Sequence, residues 1–260
     1  IIGNPVLHTK SPYIQNPGFD EIKFNAIYVP FLVDSVRSFF VLAEMLPIYG
    51  FSVTVPHKQA VLPYLGKITR EVKQIGACNT VVRAKNLWMG INTDYYGFIS
   101  PLIHEIEGKS IQSALVVGSG GAARSVVWAL RNFGCKVTVV NRNVQKAKTL
   151  ASETMSAFDS LENAYKYENV DLIVQTTPVG MENSKDEDPI PSFHFTKTHY
   201  VYELIYSPHY TPLLKRAQQS GSKLFFGSDM LINQGKLQFE NFTGYHYPKR
   251  LEIDLKLEPN

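Results

Sequence analysis

Residues 114–142 read ALVVGSGGAARSVVWALRNFGCKVTVVNR. An apolar run ends at a glycine turn, an Ala-rich helical segment follows, and a second apolar run ends at Asn141–Arg142. The turn fits the dinucleotide fingerprint G-x-G-x-x-G/A as Gly118, Gly120 and Ala123. Gly118 permits a tight turn, Gly120 lets backbone approach a pyrophosphate, and Ala123 allows close helix–strand packing. The pyrophosphate would rest on amides at the helix N-terminus. After the second strand an NAD site usually carries Asp or Glu for the ribose 2′-hydroxyl. This chain has Asn141 and Arg142 there, with Lys146 one turn later, and cations suit a 2′-phosphate instead. The stretch predicts a Rossmann-type unit that binds NADP.

The surrounding chain is long enough, at 260 residues, for one large or two modest domains. With 44% hydrophobic and 19% charged residues it has the composition of a globular protein. The net charge of +3 is scattered without a dense basic cluster, which argues against nucleic-acid binding. Apolar runs stay well below the roughly 20 residues of a membrane span. Cys78 and Cys135 lie in apolar runs without metal-site or disulfide spacing, so the expectation is a reduced, cytoplasmic compartment. Ile1 opens a strand already in progress, and a missing N-terminal segment is expected.

Before residue 113, short apolar runs alternate with helical patterns. Strands are expected at Ile1–Gly3, Asn25–Phe31, Phe51–Val55, Asn79–Arg83 and Leu87–Ile91, with helices starting near Ser11, Asp34, His57 and Asp94. From Ser113 a βαβ series places strands at Ala114–Val117, Lys136–Val140, Leu172–Gln175 and Tyr200–Leu204. Glu182–Ser192, ENSKDEDPIPS, reads as a surface loop. Asp229–Tyr245 and Leu251–Leu257 are amphipathic and predict a C-terminal helix pair. The expected architecture is α/β: an N-terminal substrate domain with a mixed sheet, a Rossmann-type NADP domain, and C-terminal helices returning to the first. The bounds are 1–101 with 236–260, and 102–235.

Other segments set polar side chains at strand ends, where open α/β sheets bind ligands. They are GNPVLHTKSP (Gly3–Pro12), GFSVTVPHK (Gly50–Lys58), GACNT (Gly76–Thr80) and GINTD (Gly90–Asp94). TTPVGM (Thr176–Met181), ELIY (Glu203–Tyr206) and MLINQG (Met230–Gly235) follow in order. Through these motifs nearly the whole chain resembles the shikimate dehydrogenase family. The resemblance implies reversible NADP-linked reduction of 3-dehydroshikimate to shikimate, a small-molecule reaction of aromatic amino acid biosynthesis. Lys58 and Asp94 match the family's catalytic pair. Thr9, Ser11, Thr54, Asn79, Tyr206 and Gln234 match its substrate positions. Gly118, Gly120, Gly121, Ala122, Asn141, Arg142, Lys146 and Thr176 match its cofactor positions. No metal is implied.

The chain departs from the commonest family pattern at four places. Thr9 stands for serine, Ser52 for asparagine, Gln15 for histidine and Asn143 for Thr or Ser. GFSVTVPHK resembles the dehydrogenase half of fused dehydroquinate dehydratase–shikimate dehydrogenases, so covalent fusion to a dehydratase domain is carried as an expectation. An oxidoreductase preferring quinate and a non-catalytic NADP sensor are the alternatives; a sensor has no need of Lys58 and Asp94 together.

Each residue also has a plainer reading. Lys58 alone would be a surface charge, Asp94 a helix cap, and Thr9 and Ser11 the closure of a turn. His8 and His57 lack paired ligand spacing and read as structural or solvent-facing.

Overall fold

Ala114 and Val116 face one apolar core while Leu115 and Val117 face another, all at most 1% exposed. This two-sided burial explains the unbroken apolar run, because a strand covered on both faces has no polar side to alternate with. In the computed structural model, which describes residues 1–106, 111–181, 188–253 and 255, the run is strand β7.

The chain packs as two compact units, Ile1–Asp94 with Ile232–Asn260, and Tyr95–Leu231. The first is built on short strands. β1 (Ile2–Gly3) pairs parallel with β2 (Phe31–Leu32). β3 (Gly50–Ser52), β4 (Lys67–Ile68), β5 (Thr80–Ala84) and β6 (Leu87–Ile91) form a mixed sheet in the order β3-β5-β6-β4. The helices are α1 (Pro12–Glu21), α2 (Val36–Met45) and α3 (Arg70–Ile75). Ser35 caps α2 by accepting the Ser38 amide at 3.2 Å. Val36, Phe39, Phe40 and Ala43 follow at helical spacing and are buried. Phe39 meets Phe51 edge-on, ring centroids 4.9 Å apart, in the core of this unit.

The second unit holds six parallel strands: β7 (Ser113–Val117), β8 (Lys136–Asn141), β9 (Ala157–Ser160), β10 (Leu172–Gln175), β11 (Tyr200–Glu203) and β12 (Lys223–Phe226). Their order is β12-β11-β10-β7-β8-β9. The chain runs outward from β7 to β9, then returns to β10 on the other side of β7. The switch point lies between β7 and β10, the place where such sheets bind ligands. α5 (Gly121–Asn132), α6 (Val144–Thr154) and α7 (Pro212–Gln219) connect the strands. α4 (Asp94–Glu105) carries the chain into this unit, and α8 (Gly227–Thr243) carries it out. Phe98, Leu102 and Met230 sit in the second unit's core.

Three expectations are corrected. Asn25–Phe31 is strand only at its end, because the Asn16 side chain holds both the amide (2.7 Å) and the carbonyl (3.0 Å) of Tyr28, the bonds a ladder would use. No α-helix starts at His57; turns lead to a 3-10 segment, Leu62–Tyr64, where Pro63 has no amide to donate. Among the described residues the C-terminal pair is one helix, because Gly244 (φ 77°) ends α8 and Leu251–Ile253 and Leu255 are not helical. The remainder of Leu251–Leu257 lies outside the described residues, as does Glu182–Glu187 of the acidic loop. Asp188–Ser192 forms no helix or strand, although Ile190 is buried.

Candidate active site

Lys58 lies in the turns after β3, and Asp94 opens α4 just beyond β6. Their side chains meet with Nζ 2.6 Å from Oδ2 and are only 12% and 6% exposed. A pair this buried forfeits much hydration, and its remaining lone pairs need donors. Asn79, one residue before β5, supplies one. Its Oδ1 accepts the Thr93 amide at 2.7 Å and the Thr80 hydroxyl at 2.9 Å. A backbone N–H can only donate, so the amide orientation is fixed with Nδ2 toward Asp94. Nδ2 donates to Asp94 Oδ1 at 2.8 Å, Thr93 Oγ1 at 2.9 Å and Gln234 Oε1 at 3.2 Å. Lys58 and Asn79 thus meet on the Asp94 carboxylate, and Asn79 ties Gln234 of a fourth segment to it. Asp94 is the first residue of α4, and both its oxygens are engaged by side chains.

A second polar group lies in the same unit. Thr9 donates to Ser11 Oγ at 3.1 Å, and Ser11 is buried. The Tyr28 hydroxyl, which also contacts Ser11, donates to Ser52 Oγ at 2.5 Å. Ser52 donates to Gln238 Oε1 at 2.8 Å. The Gln238 amide returns to the Asn79 carbonyl and the Thr80 hydroxyl, each at 3.1 Å. Burial holds the Tyr28 phenol well above its usual range, so it stays a hydroxyl donor. The network connects Ser11 to Asn79, and two departures from the family pattern have buried partners. Ser52 is the small two-way hydroxyl that joins Tyr28 to Gln238, and Gln15 uses Nε2 to hold the Gly235 carbonyl at 2.8 Å.

Tyr28, Thr80, Thr93 and Gln238 are participants that the sequence reading did not single out. Gln234 and Gln238 share a helix face at i, i+4, which was an available signal. Tyr28 stands in an apolar run with nothing to distinguish it from core. Thr54 lies on the turn leading to Lys58, and a side chain at Gly3 would collide with its methyl. His57 is buried against the Val33 carbonyl at 2.6 Å, a structural role. Cys78 and Cys135 are free, and burial pushes both thiols up to about 12, leaving them unreactive at neutral pH. Among the described residues no cluster of three His, Cys, Asp or Glu is arranged to hold a metal, and no helix is long and apolar enough to cross a membrane.

In the other unit, Gly118 turns at φ 112°, and a Cβ there would collide with Thr176 Oγ1 and lie 2.9 Å from Thr177. Gly120 is the opposite case: a Cβ would meet nothing within 4 Å, so its backbone faces open space at the start of α5. Gly121 and Ala122 form the first helical residues behind it. This small-residue cradle fits a pyrophosphate at the helix N-terminus. Asn141 donates to Ser119 Oγ at 2.8 Å, tying the two strand ends together. Arg142 and Lys146 are exposed beside them, while Asn143 caps α6 by accepting the Lys146 amide at 3.1 Å. The Thr176 hydroxyl is committed to the Val117 carbonyl at 2.7 Å, bracing the glycine turn from below. Tyr206 follows β11 in this unit and is half-buried.

A Rossmann-type dinucleotide unit, joined to a mixed-sheet unit with a buried ammonium–carboxylate pair, defines a nicotinamide-dependent oxidoreductase. Residues 1–81 match the family model described as shikimate dehydrogenase substrate binding domain, and residues 103–181 that described as shikimate / quinate 5-dehydrogenase. The shikimate dehydrogenase (NADP(+)) of Caldanaerobacter subterraneus subsp. tengcongensis is 37% identical, over 96% of this chain and 92% of that protein. The chain belongs to the shikimate dehydrogenase family. A crystal structure of shikimate dehydrogenase in complex with NADP+ superposes with a TM-score of 0.87 at 34% identity, covering 94% of this chain and 89% of the other. The Thermus thermophilus enzyme with NADP(H) and shikimate gives 0.83 at 32% identity, covering 95% and 93%.

Proposed function

We propose that this chain catalyses the reversible NADP-linked reduction of 3-dehydroshikimate to shikimate. The observation that carries the reading is the 2.6 Å Lys58–Asp94 pair with Asn79 on its free oxygen. When bound, the nicotinamide supplies the hydride. Lys58 directs its ammonium at the substrate carbonyl oxygen and gives up the proton taken by the new hydroxyl. Asp94 keeps that ammonium aimed and receives the proton in the reverse direction through Lys58. Thr9 and Ser11 take the carboxylate; Thr54, Asn79 and Gln234 take ring hydroxyls, because a buried polar group left unpaired costs about 1–3 kcal/mol. Tyr206 is a further substrate contact.

Arg142, Lys146 and Asn141 hold the adenosine 2′-phosphate, and Gly118, Gly120, Gly121 and Ala122 shape the pyrophosphate cradle. Thr176 acts here by bracing that cradle. The GFSVTVPHK form supports a dehydratase fusion in the native protein, which the mass of the purified natural polypeptide tests.

A steady-state panel of shikimate and quinate, each with NADP and NAD, tests the assignment. Turnover is expected to be highest with shikimate and NADP. Higher kcat/KM on quinate would transfer the assignment to a quinate dehydrogenase, and no turnover in any arm would leave an NADP sensor.

A further inference from the structure

Glu203 is a carboxyl side chain with 0% exposure at the end of β11. Burying an acid is unfavourable unless its oxygens are engaged. Its Oε1 accepts the Ile205 amide at 3.1 Å, and its Oε2 accepts the Thr211 hydroxyl at 3.0 Å. Thr211 is itself fully buried and caps α7 by accepting the Leu214 amide at 3.2 Å. One carboxyl therefore fastens both ends of the segment between β11 and α7, and Tyr206 lies on that segment. The neighbouring strand repeats the device. Gln175, in register with Glu203, is also 0% exposed. It donates to the Thr177 and Val179 carbonyls at 3.1 and 2.8 Å and accepts the Thr177 amide at 2.8 Å. At two adjacent strand ends, a buried polar side chain folds back to fix the loop that follows.

We propose that Glu203 is a positioning residue for substrate recognition, setting Tyr206 by clamping the 204–211 segment to β11 and to the Thr211 cap. The inference rests on the reading of Tyr206 as a substrate contact. It assigns Glu203 no contact with substrate and no share in the chemistry. Its effect therefore falls on substrate affinity while the Lys58–Asp94 pair and the glycine cradle are left intact.

The test compares steady-state parameters of Glu203→Gln, Glu203→Ala, Thr211→Val and Tyr206→Phe in the full chain. Glutamine keeps one acceptor and one hydrogen-bonding arm, and should restore a shikimate KM within about twofold of the parent. Glu203→Ala and Thr211→Val should each raise the shikimate KM by about tenfold, the scale of one lost hydrogen-bonded restraint, with kcat and the NADP KM nearly unchanged. Thr211→Val keeps the test open should the alanine variant fail to fold. An unchanged shikimate KM in folded Thr211→Val, or equal increases for shikimate and NADP, would overturn the positioning role. Tyr206→Phe with an unaltered shikimate KM would instead remove the Tyr206 assignment, and the inference with it.

Discussion

Asn79 shows how little freedom the chemistry leaves to a single side chain. The Thr93 amide settles which end of its carboxamide faces Asp94, and the Thr80 hydroxyl reinforces the choice. Asn79→Asp would set a second carboxylate against Asp94 Oδ1 and point an acceptor at an acceptor. The expected result is a loss of about 10–100-fold in kcat/KM, the scale of a charge-assisted hydrogen bond, read from shikimate oxidation. Unaltered kcat/KM would mean that Asp94 needs no support on that oxygen. Lys58→Ala removes the proposed proton donor, and kcat should fall by about 10²–10⁴-fold. A fall of only tenfold with collapsed shikimate affinity would make Lys58 a binding group. The pair was legible as residues, since VTVPHK and NTD each present one polar group at a strand end. The network beneath it was not. Tyr28 reaches Ser52 and Ser52 reaches Gln238 across sequence separations of 24 and 186 residues, and local pattern carries no information over such distances.

Among the elements, the two fingerprint glycines do different work, and substitution separates them. Gly118 sits at φ 112° against Thr176, so Gly118→Ala forces a strained backbone of about 1–3 kcal/mol and displaces the threonine brace. Gly120 has φ −79° and open space above it. Gly120→Ala should leave stability within about 0.5 kcal/mol while raising the NADP KM, because its methyl projects into the proposed pyrophosphate cradle. Thermal melts beside NADP titrations distinguish the two; a Gly120 variant binding NADP normally would empty the proposed cradle. At the end of β8, Arg142→Ala should weaken NADP by about 10–100-fold and spare NAD, and equal weakening of both would refute the 2′-phosphate contact. The same elements show why the second unit was easier to read. Strands β7, β8 and β10 are four to six residues long and each holds a run of buried apolar residues, enough for a pattern to register. The first unit uses strands of two to five residues, and its 25–31 segment has strand-like composition yet gives the Tyr28 backbone bonds to Asn16. Composition reports what a segment tolerates, and the partner decides what it becomes.

For the molecule as a whole, Glu203 links the clamp to folding. Burial pushes its carboxyl from the usual 4.5 up to about 8, and Asp188, itself paired with Arg216 at 2.9 Å, pushes the same way. Between those values the unfolded chain has released a proton that the folded chain keeps, so stability falls as pH rises. The slope approaches about 1.4 kcal/mol per pH unit for a single group and flattens once the folded carboxyl ionises above about pH 8. Below the unfolded value both states are protonated and the contribution is constant. Glu203→Gln replaces the titrating group with one that mimics its protonated form. Relative to the parent, the variant should therefore gain stability steadily from about pH 5 to pH 8 and hold that gain at higher pH. Urea unfolding of both proteins across this range measures the difference directly, because other titrations are common to the two and cancel. A difference that does not change with pH would mean that the Glu203 carboxyl ionises alike in both states, and that hydration reaches it at the end of β11.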